Sequence, residues 1–91
     1  MPKRKLLERI EKRYSNRVKE ARLQALVATQ EELAQLTGIN RTTISALENN
    51  RLFLSSQYAL AISEVLRCSL NDLYQKRFNG DEKKIKRLEL N

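Results

Sequence analysis

The sequence predicts an all-α domain, and three observations point there. Proline is confined to position 2 and glycine to positions 38 and 80, so little interrupts helix formation along the 91 residues. Apolar residues recur at helical spacing in one segment after another. Between those segments stand Ser, Thr and Asn, the residues that cap helices. No strand-and-turn pattern appears before the last few residues.

The elements follow in order. Leu6, Leu7, Ile10 and Tyr14 form one apolar stripe on an otherwise very basic helix over residues 3–14. Ser15 or Asn16 caps a second helix from Arg17 to about Val27, with Val18, Ala21, Leu23 and Leu26 available for burial. Thr29 is the N-cap of a third, and Glu32, three residues on, completes a capping box. Leu33, Ala34 and Leu36 face inward from it. Gly38 suits the left-handed position that ends it, and Ile39 plugs the corner. Asn40 caps a fourth helix, in which Ile44 and Leu47 point back into the core and which Asn49-Asn50 ends. Ser55 or Ser56 caps a fifth, to about Arg67, burying Ala59, Leu60, Ile62, Val65 and Leu66. Ser69 with Asp72 caps a last short helix carrying Leu70, Leu73 and Tyr74. Asn79-Gly80-Asp81 then signals a turn. The closing run KKIKRLELN alternates partly, which fits a strand, a frayed helix or disorder. There is no internal repeat and no low-complexity segment.

The third and fourth helices, joined by Gly38-Ile39-Asn40, have the layout of a helix-turn-helix. The outward face of the fourth carries Arg41, Thr42, Ser45, Ala46 and Asn49, short polar groups and one Arg. Such side chains reach base edges in a major groove. Arg41 and Thr42 lie in the first turn, which reaches deepest. Arg41 is placed to donate two bonds to guanine, or to contact a phosphate instead. Thr42 or Ser45 suits a thymine methyl or a base acceptor, and Ala46 offers only an apolar contact. Asn40, Thr43, Asn49 and Arg51 read as phosphate contacts, which set register without carrying sequence information. Thr29 and Gln30 stand at the start of the third helix, where unpaired amides and the helix dipole attract a phosphate. The plainer reading of Gln30 is an ordinary first-turn polar residue.

Charge is uneven. The chain has 18 Lys and Arg against 11 Asp and Glu, a formal net charge of +7. Residues 1–28 hold nine basic and three acidic side chains, residues 76–91 six and three, and the middle three and five. Positive ends around a nearly neutral reading helix favour a polyanionic partner, although charged ends also simply keep a small protein in solution. Cys68 is the single cysteine, which excludes an intrachain disulfide and reads as a filler at the core edge. Histidine is absent, which removes the commonest general base and metal ligand. With no convergent acid pair either, the sequence argues against an enzyme, a metal site and a cofactor. No stretch approaches a membrane span, and Leu6-Leu7 is followed at once by Glu8-Arg9, unlike a signal-peptide core. A cytoplasmic protein is expected.

From Arg17 to Tyr74 the chain resembles the Cro/CI-type (Xre) family of phage and bacterial repressors. The matching residues are Gln30, Ala34, Gly38, Ile44, Leu47 and Glu48, followed by Leu66, Ser69, Leu70 and Leu73. The resemblance implies a five-helix lambda-repressor-like DNA-binding domain over residues 16–75. A basic N-terminal extension (1–15) precedes it and a charged C-terminal tail (76–91) follows. It also implies a homodimer on a two-fold operator, and an ion pair between Arg22 and Glu48 beneath the DNA surface. The alternative for Glu48 is an exposed carboxylate near a helix end. Departures from the family pattern lie in the connections. Leu23 to Ala28 contains no Gly, and Arg22 to Gln30 is one residue longer than is usual in the family. Asn50 and Arg67 stand where Gly is usual, and Leu54 where Pro is usual. The second helix is therefore expected to run on or to end differently, and the connections to be looser.

The first functional reading is a sequence-specific regulator of transcription on double-stranded DNA, repressor-like. The alternative is the same fold used as an antitoxin-like or adaptor module that holds a protein partner. A weakly specific nucleic-acid chaperone is poorly supported, since five scattered Tyr and Phe form no stacking cluster. Dimer surfaces are expected at Leu52 to Leu54, at Leu70 and Tyr74, or at Ile85, Leu88 and Leu90 of the tail. The stripe Leu6, Leu7, Ile10 and Tyr14 is a further choice, unless it folds back on its own domain.

Overall fold

A computed structural model describes residues 2–77, with side chains from Leu6 onward. The turn expected at Asn79-Gly80-Asp81 and the dimer surface at Ile85, Leu88 and Leu90 lie outside the described residues. The elements are α1 (Pro2–Arg13), β1 (Tyr14–Asn16), α2 (Val18–Gln24), α3 (Gln30–Thr37), α4 (Arg41–Glu48), α5 (Ser56–Leu66), a 3-10 helix (Leu70–Leu73) and β2 (Tyr74–Lys76). The fold is thus the expected helical domain, with its last helix tightened to 3-10 geometry. Pro2 is tolerated at the head of α1 because a first-turn amide has no helical partner to lose.

The chain is not wholly helical. Tyr14–Asn16 pairs antiparallel with Tyr74–Lys76, Ser15 opposite Gln75. The ribbon is only three residues long on each side and joins segments far apart in sequence, so it leaves no alternating pattern and no hairpin turn to read. It ties both ends of the domain together, helped by the Arg17 amide donating to the Leu73 carbonyl at 2.8 Å.

Leu33, Ile44, Leu47, Leu54, Ile62, Leu73 and Val18 are the large, fully buried side chains, and Ile39 closes the corner between α3 and α4. Tyr74 is half-buried, and its hydroxyl donates to the Leu54 carbonyl at 2.6 Å. Its ring lies 6.2 Å from that of Phe53. The apolar run 52–54 is thereby divided: Leu54 goes to the core, Phe53 meets Tyr74, and Leu52 stays exposed. Cys68 packs at the core edge, and burial pushes its thiol above the usual cysteine range. A thiol held protonated is a poor nucleophile.

Several leucines expected inside are outside: Leu23, Leu26, Leu36 and Leu60 are exposed. Leu23 and Leu60 each follow a buried residue, and one step around a helix turns a side chain by about 100°, away from the core. Leu26 is 88% exposed because α2 ends earlier than expected. Its φ is +63°. The Leu26 amide donates to Leu23 and the Val27 amide to Arg22, the crossed pair of bonds of a Schellman turn. The same turn ends α4, with Asn50 at φ +56°, donating to Leu47, and the Arg51 amide donating to Ala46. After α5 it recurs with Arg67 at φ +53° and the Cys68 amide donating to Ser63. Among the described residues only Gly38, at φ +80°, fills a left-handed position with the residue best suited to it. The helices stop where family glycines would stop them, without the glycines.

Candidate nucleic-acid interface

α3 and α4 pack against each other more extensively than any other pair of helices. Local chemistry sets the corner. The Thr29 hydroxyl accepts the Glu32 amide at 3.1 Å, and the Glu32 carboxylate accepts the Ala28 amide at 3.3 Å. The expected reciprocal box is therefore closed one residue early, on Ala28 instead of Thr29. At the other end of α3 the Thr37 hydroxyl accepts the Ile39 amide at 3.1 Å. The Asn40 side chain then accepts the Thr42 amide at 2.8 Å and starts α4.

With Ile44 and Leu47 buried, helical periodicity of about 100° per residue turns Thr42, Ser45, Ala46 and Asn49 away from the core, Thr42 and Asn49 exposed and Ser45 and Ala46 half-buried. They form one stripe of small side chains. Asn49 is tied along it, its amide nitrogen donating to the Ser45 carbonyl at 2.9 Å. Arg41 is exposed in the first turn, at the edge of the stripe nearer Glu48. Thr43 lies on the opposite flank, half-buried in a shallow cleft against Gly38, Gln57 and Tyr58 of the α5 side. Thr29 and Gln30 stand at the start of α3, and Arg51 is exposed in the loop after α4.

A charged cluster underlies this surface. Arg22 and Glu48 form an ion pair with side chains only 6% and 2% exposed. The Arg22 Nε donates to Glu48 Oε2 at 2.8 Å and its Nη2 to Oε1 at 3.3 Å. Its Nη1 donates to the carbonyls of Val27 and Ala28, at 3.0 and 2.7 Å. One guanidinium thus fixes both the end of α4 and the glycine-free loop between α2 and α3. The loop's extra length does not break the pairing, because the early stop of α2 returns the chain to Arg22. The Gln30 amide nitrogen donates to Glu48 Oε1 at 3.1 Å. Gln30 is accordingly a positioned side chain and not a loose surface group. It joins the start of α3 to the end of α4.

Asn16 was legible only as a cap. Its Oδ1 does accept the Val18 amide at 3.1 Å. Its Nδ2 also donates to the Leu47 carbonyl at 2.6 Å and to Asn50 Oδ1 at 3.3 Å, while its backbone amide donates to Asn50 Oδ1 at 3.2 Å. Those partners are more than thirty residues away, and no local pattern announces them.

Among the described residues no group of three or more His, Cys, Asp or Glu is placed to hold a metal ion, and no helix is long and apolar enough to cross a membrane. A family model described as helix-turn-helix matches residues 18–73, more than half of the chain. No curated protein and no solved structure matches it significantly.

Proposed function

Because the chain belongs to the Cro/CI-type (Xre) helix-turn-helix family of DNA-binding transcription regulators, we propose that it is a sequence-specific, repressor-like regulator that acts as a homodimer on double-stranded DNA. The observation that carries the reading is the outward stripe of α4, set on the buried Arg22–Glu48 pair and the half-buried Gln30 at the start of α3. Such a surface is held before DNA arrives, so little ordering cost falls on binding. In this reading α4 enters the major groove. Arg41, Thr42, Ser45 and Ala46 meet base edges. Thr29, Gln30, Asn40, Thr43, Asn49 and Arg51 meet phosphates. Gln30 spends one amide proton on Glu48 and keeps the other for the backbone. Thr43 and Asn49 are the least direct of these contacts, the first on the flank toward α5 and the second within the stripe.

Selection of bound sequences from random duplex DNA tests the proposal. A two-fold-related motif is expected, with affinity falling steeply as salt rises. Arg41→Ala should relax the preference at one position, losing about 1–3 kcal/mol of discrimination. Gln30→Ala should weaken all sequences about equally. Selection that returns no motif would sink the sequence-specific reading. The exposed Leu6 and Leu7 of α1 add a protein contact to this picture.

A further inference from the structure

The β1–β2 ribbon does more than tie the ends of the domain together. Asn16 and Tyr74 stand opposite each other in it, and directly paired residues share one face of a ribbon. From that face their side chains reach the two ends of one loop. The loop, residues 50–54, follows α4 and lies outside helix and strand. At its head, Asn50 Oδ1 accepts the Asn16 side-chain nitrogen at 3.3 Å and the Asn16 backbone amide at 3.2 Å. At its foot, the Leu54 carbonyl accepts the Tyr74 hydroxyl at 2.6 Å. Between the two grips lies the exposed Arg51. We infer that Asn16 and Tyr74 are positioning residues: together they clamp this loop so that Arg51 is presented to the phosphate backbone of DNA. The inference rests on the DNA-binding reading above and supplies the device that holds one of its contacts in place.

Each grip is made on a fixed point. Asn50 is left-handed at φ +56°. Its amide donates to the Leu47 carbonyl, and the Asn16 side chain donates to that same carbonyl at 2.6 Å. The turn that leads the chain out of α4 is thus held from two sides. The next two amides, of Arg51 and Leu52, both donate to the Ala46 carbonyl, at 2.9 and 3.3 Å. At the foot, the Leu54 side chain is buried and the Phe53 ring lies 6.2 Å from that of Tyr74. A loop pinned in this way leaves only the Arg51 side chain to be ordered on binding, whereas a slack loop would add its own ordering cost. Charge makes the same demand. Glu8 and Glu11 of α1 line the same cleft as Arg51. A slack loop would let those carboxylates compete with a phosphate for the guanidinium.

The two gripping residues lie just beyond the family match. It covers residues 18–73, so Asn16 precedes it and Tyr74 follows it. The clamp also gives Asn50 a use. A glycine would suit the left-handed turn better, but it has no oxygen to receive Asn16. The residue that departs from the family pattern after α4 is the one the ribbon grips.

Binding of the full chain to a mixed-sequence DNA duplex over a range of salt, together with amide exchange of the free protein, is the test. Tyr74→Phe removes only the hydroxyl. Asn16→Ser keeps an acceptor for the Val18 amide but is too short to reach Leu47. Combined, they should speed exchange of the Arg51 and Leu52 amides and leave that of Ile44, near the start of α4, unchanged. They should weaken duplex binding by about threefold to tenfold, the size of one added ordering cost. Arg51→Ala should lower the steepness of the salt dependence by about 0.9, one phosphate contact. In the Arg51→Ala background the combined variant should lose no further affinity, because residues that act through one contact are not additive. An equal loss in both backgrounds would assign Asn16 and Tyr74 to general stability and overturn the proposal. Unchanged exchange of the Arg51 and Leu52 amides would overturn the clamp, and an unchanged salt dependence in Arg51→Ala the phosphate contact it serves. Should the combined variant not fold, Tyr74→Phe alone carries the same comparison. A wild type that binds duplex with no salt dependence would sink the DNA reading itself, which the exchange measurement does not rest on.

Discussion

The two ends of α4 are held in different ways. At its start, everything is local. Gly38 turns the chain, Ile39 fills the corner and Asn40 caps the helix through the Thr42 amide. At its end, a local left-handed turn is joined by side chains from elsewhere. Glu48 is gripped by Arg22 and Gln30, the Leu47 carbonyl by Asn16, and the stopping residue Asn50 by Asn16 again. The start is fixed by neighbours in sequence, and the end by the rest of the fold as well. A helix built this way has its direction set by its own turn and its tilt set by the domain.

The sharpest way to break this contrast is to remove Glu48. In Glu48→Ala the Arg22 guanidinium keeps Val27 and Ala28 but loses its counter-charge in a buried site. Removing one partner of such a pair costs about 3–5 kcal/mol, and denaturant unfolding should show a loss of that order. Arg22→Ala should cost as much or more, since it also frees two loop carbonyls. A loss no larger than that of an ordinary exposed charge, in either variant, would mean that the end of α4 is not held by this pair.

Asn16 comes next. Asn16→Ala removes bonds to Leu47, Asn50 and Val18 while leaving the backbone pairing of β1 with β2. The Leu47 carbonyl keeps the Asn50 amide, so the cost is that of the lost side-chain bonds, about 0.5–1.5 kcal/mol each. The variant should also raise amide exchange in the last turn of α4 without affecting its first turn. Uniform exchange along α4 would deny that Asn16 acts on one end.

At the local end the effect should be smaller. Asn40→Ala removes a single capping acceptor and should cost about 1 kcal/mol, with α4 fraying from Arg41 and not from Glu48. A loss matching that of Glu48→Ala would erase the asymmetry.

Glycines make the finest test. Leu26 and Arg67 hold left-handed conformations that cost a residue with a Cβ about 1–2 kcal/mol. Their exposed side chains give little back. Leu26→Gly and Arg67→Gly should each stabilise the domain by about 0.5–1 kcal/mol after the added freedom of the unfolded chain is counted. Asn50→Gly relieves the same strain but removes the oxygen that receives Asn16, so its gain should be smaller or absent. Equal gains at all three positions would show that the Asn16–Asn50 contact contributes nothing.

By itself the sequence determined the elements whose signals are local. Thr29, Gly38, Asn40 and the pair Ser69–Asp72 mark helix ends through bonds to residues two to four positions away, and a single chain carries both partners of such a bond in plain view. Ile44 and Leu47 likewise declare the inner face of α4, and so its outer one, by helical spacing alone. The Arg22–Glu48 pair was legible through family resemblance; nothing around either residue requires the other. Tertiary structure alone decided the rest. It chose which of several leucines at helical spacing face water, because a short helix has one inner stripe and the body's shape selects it. It placed left-handed turns on Leu26 and Arg67, because the chain had to turn there to bring Arg22 to Val27 and the core residue Leu66 to its place. It paired Tyr14–Asn16 with Tyr74–Lys76 and led Asn16 to the end of α4. Those contacts join segments too distant and too short for any pattern to announce, and only closure of the core brings them within bonding distance.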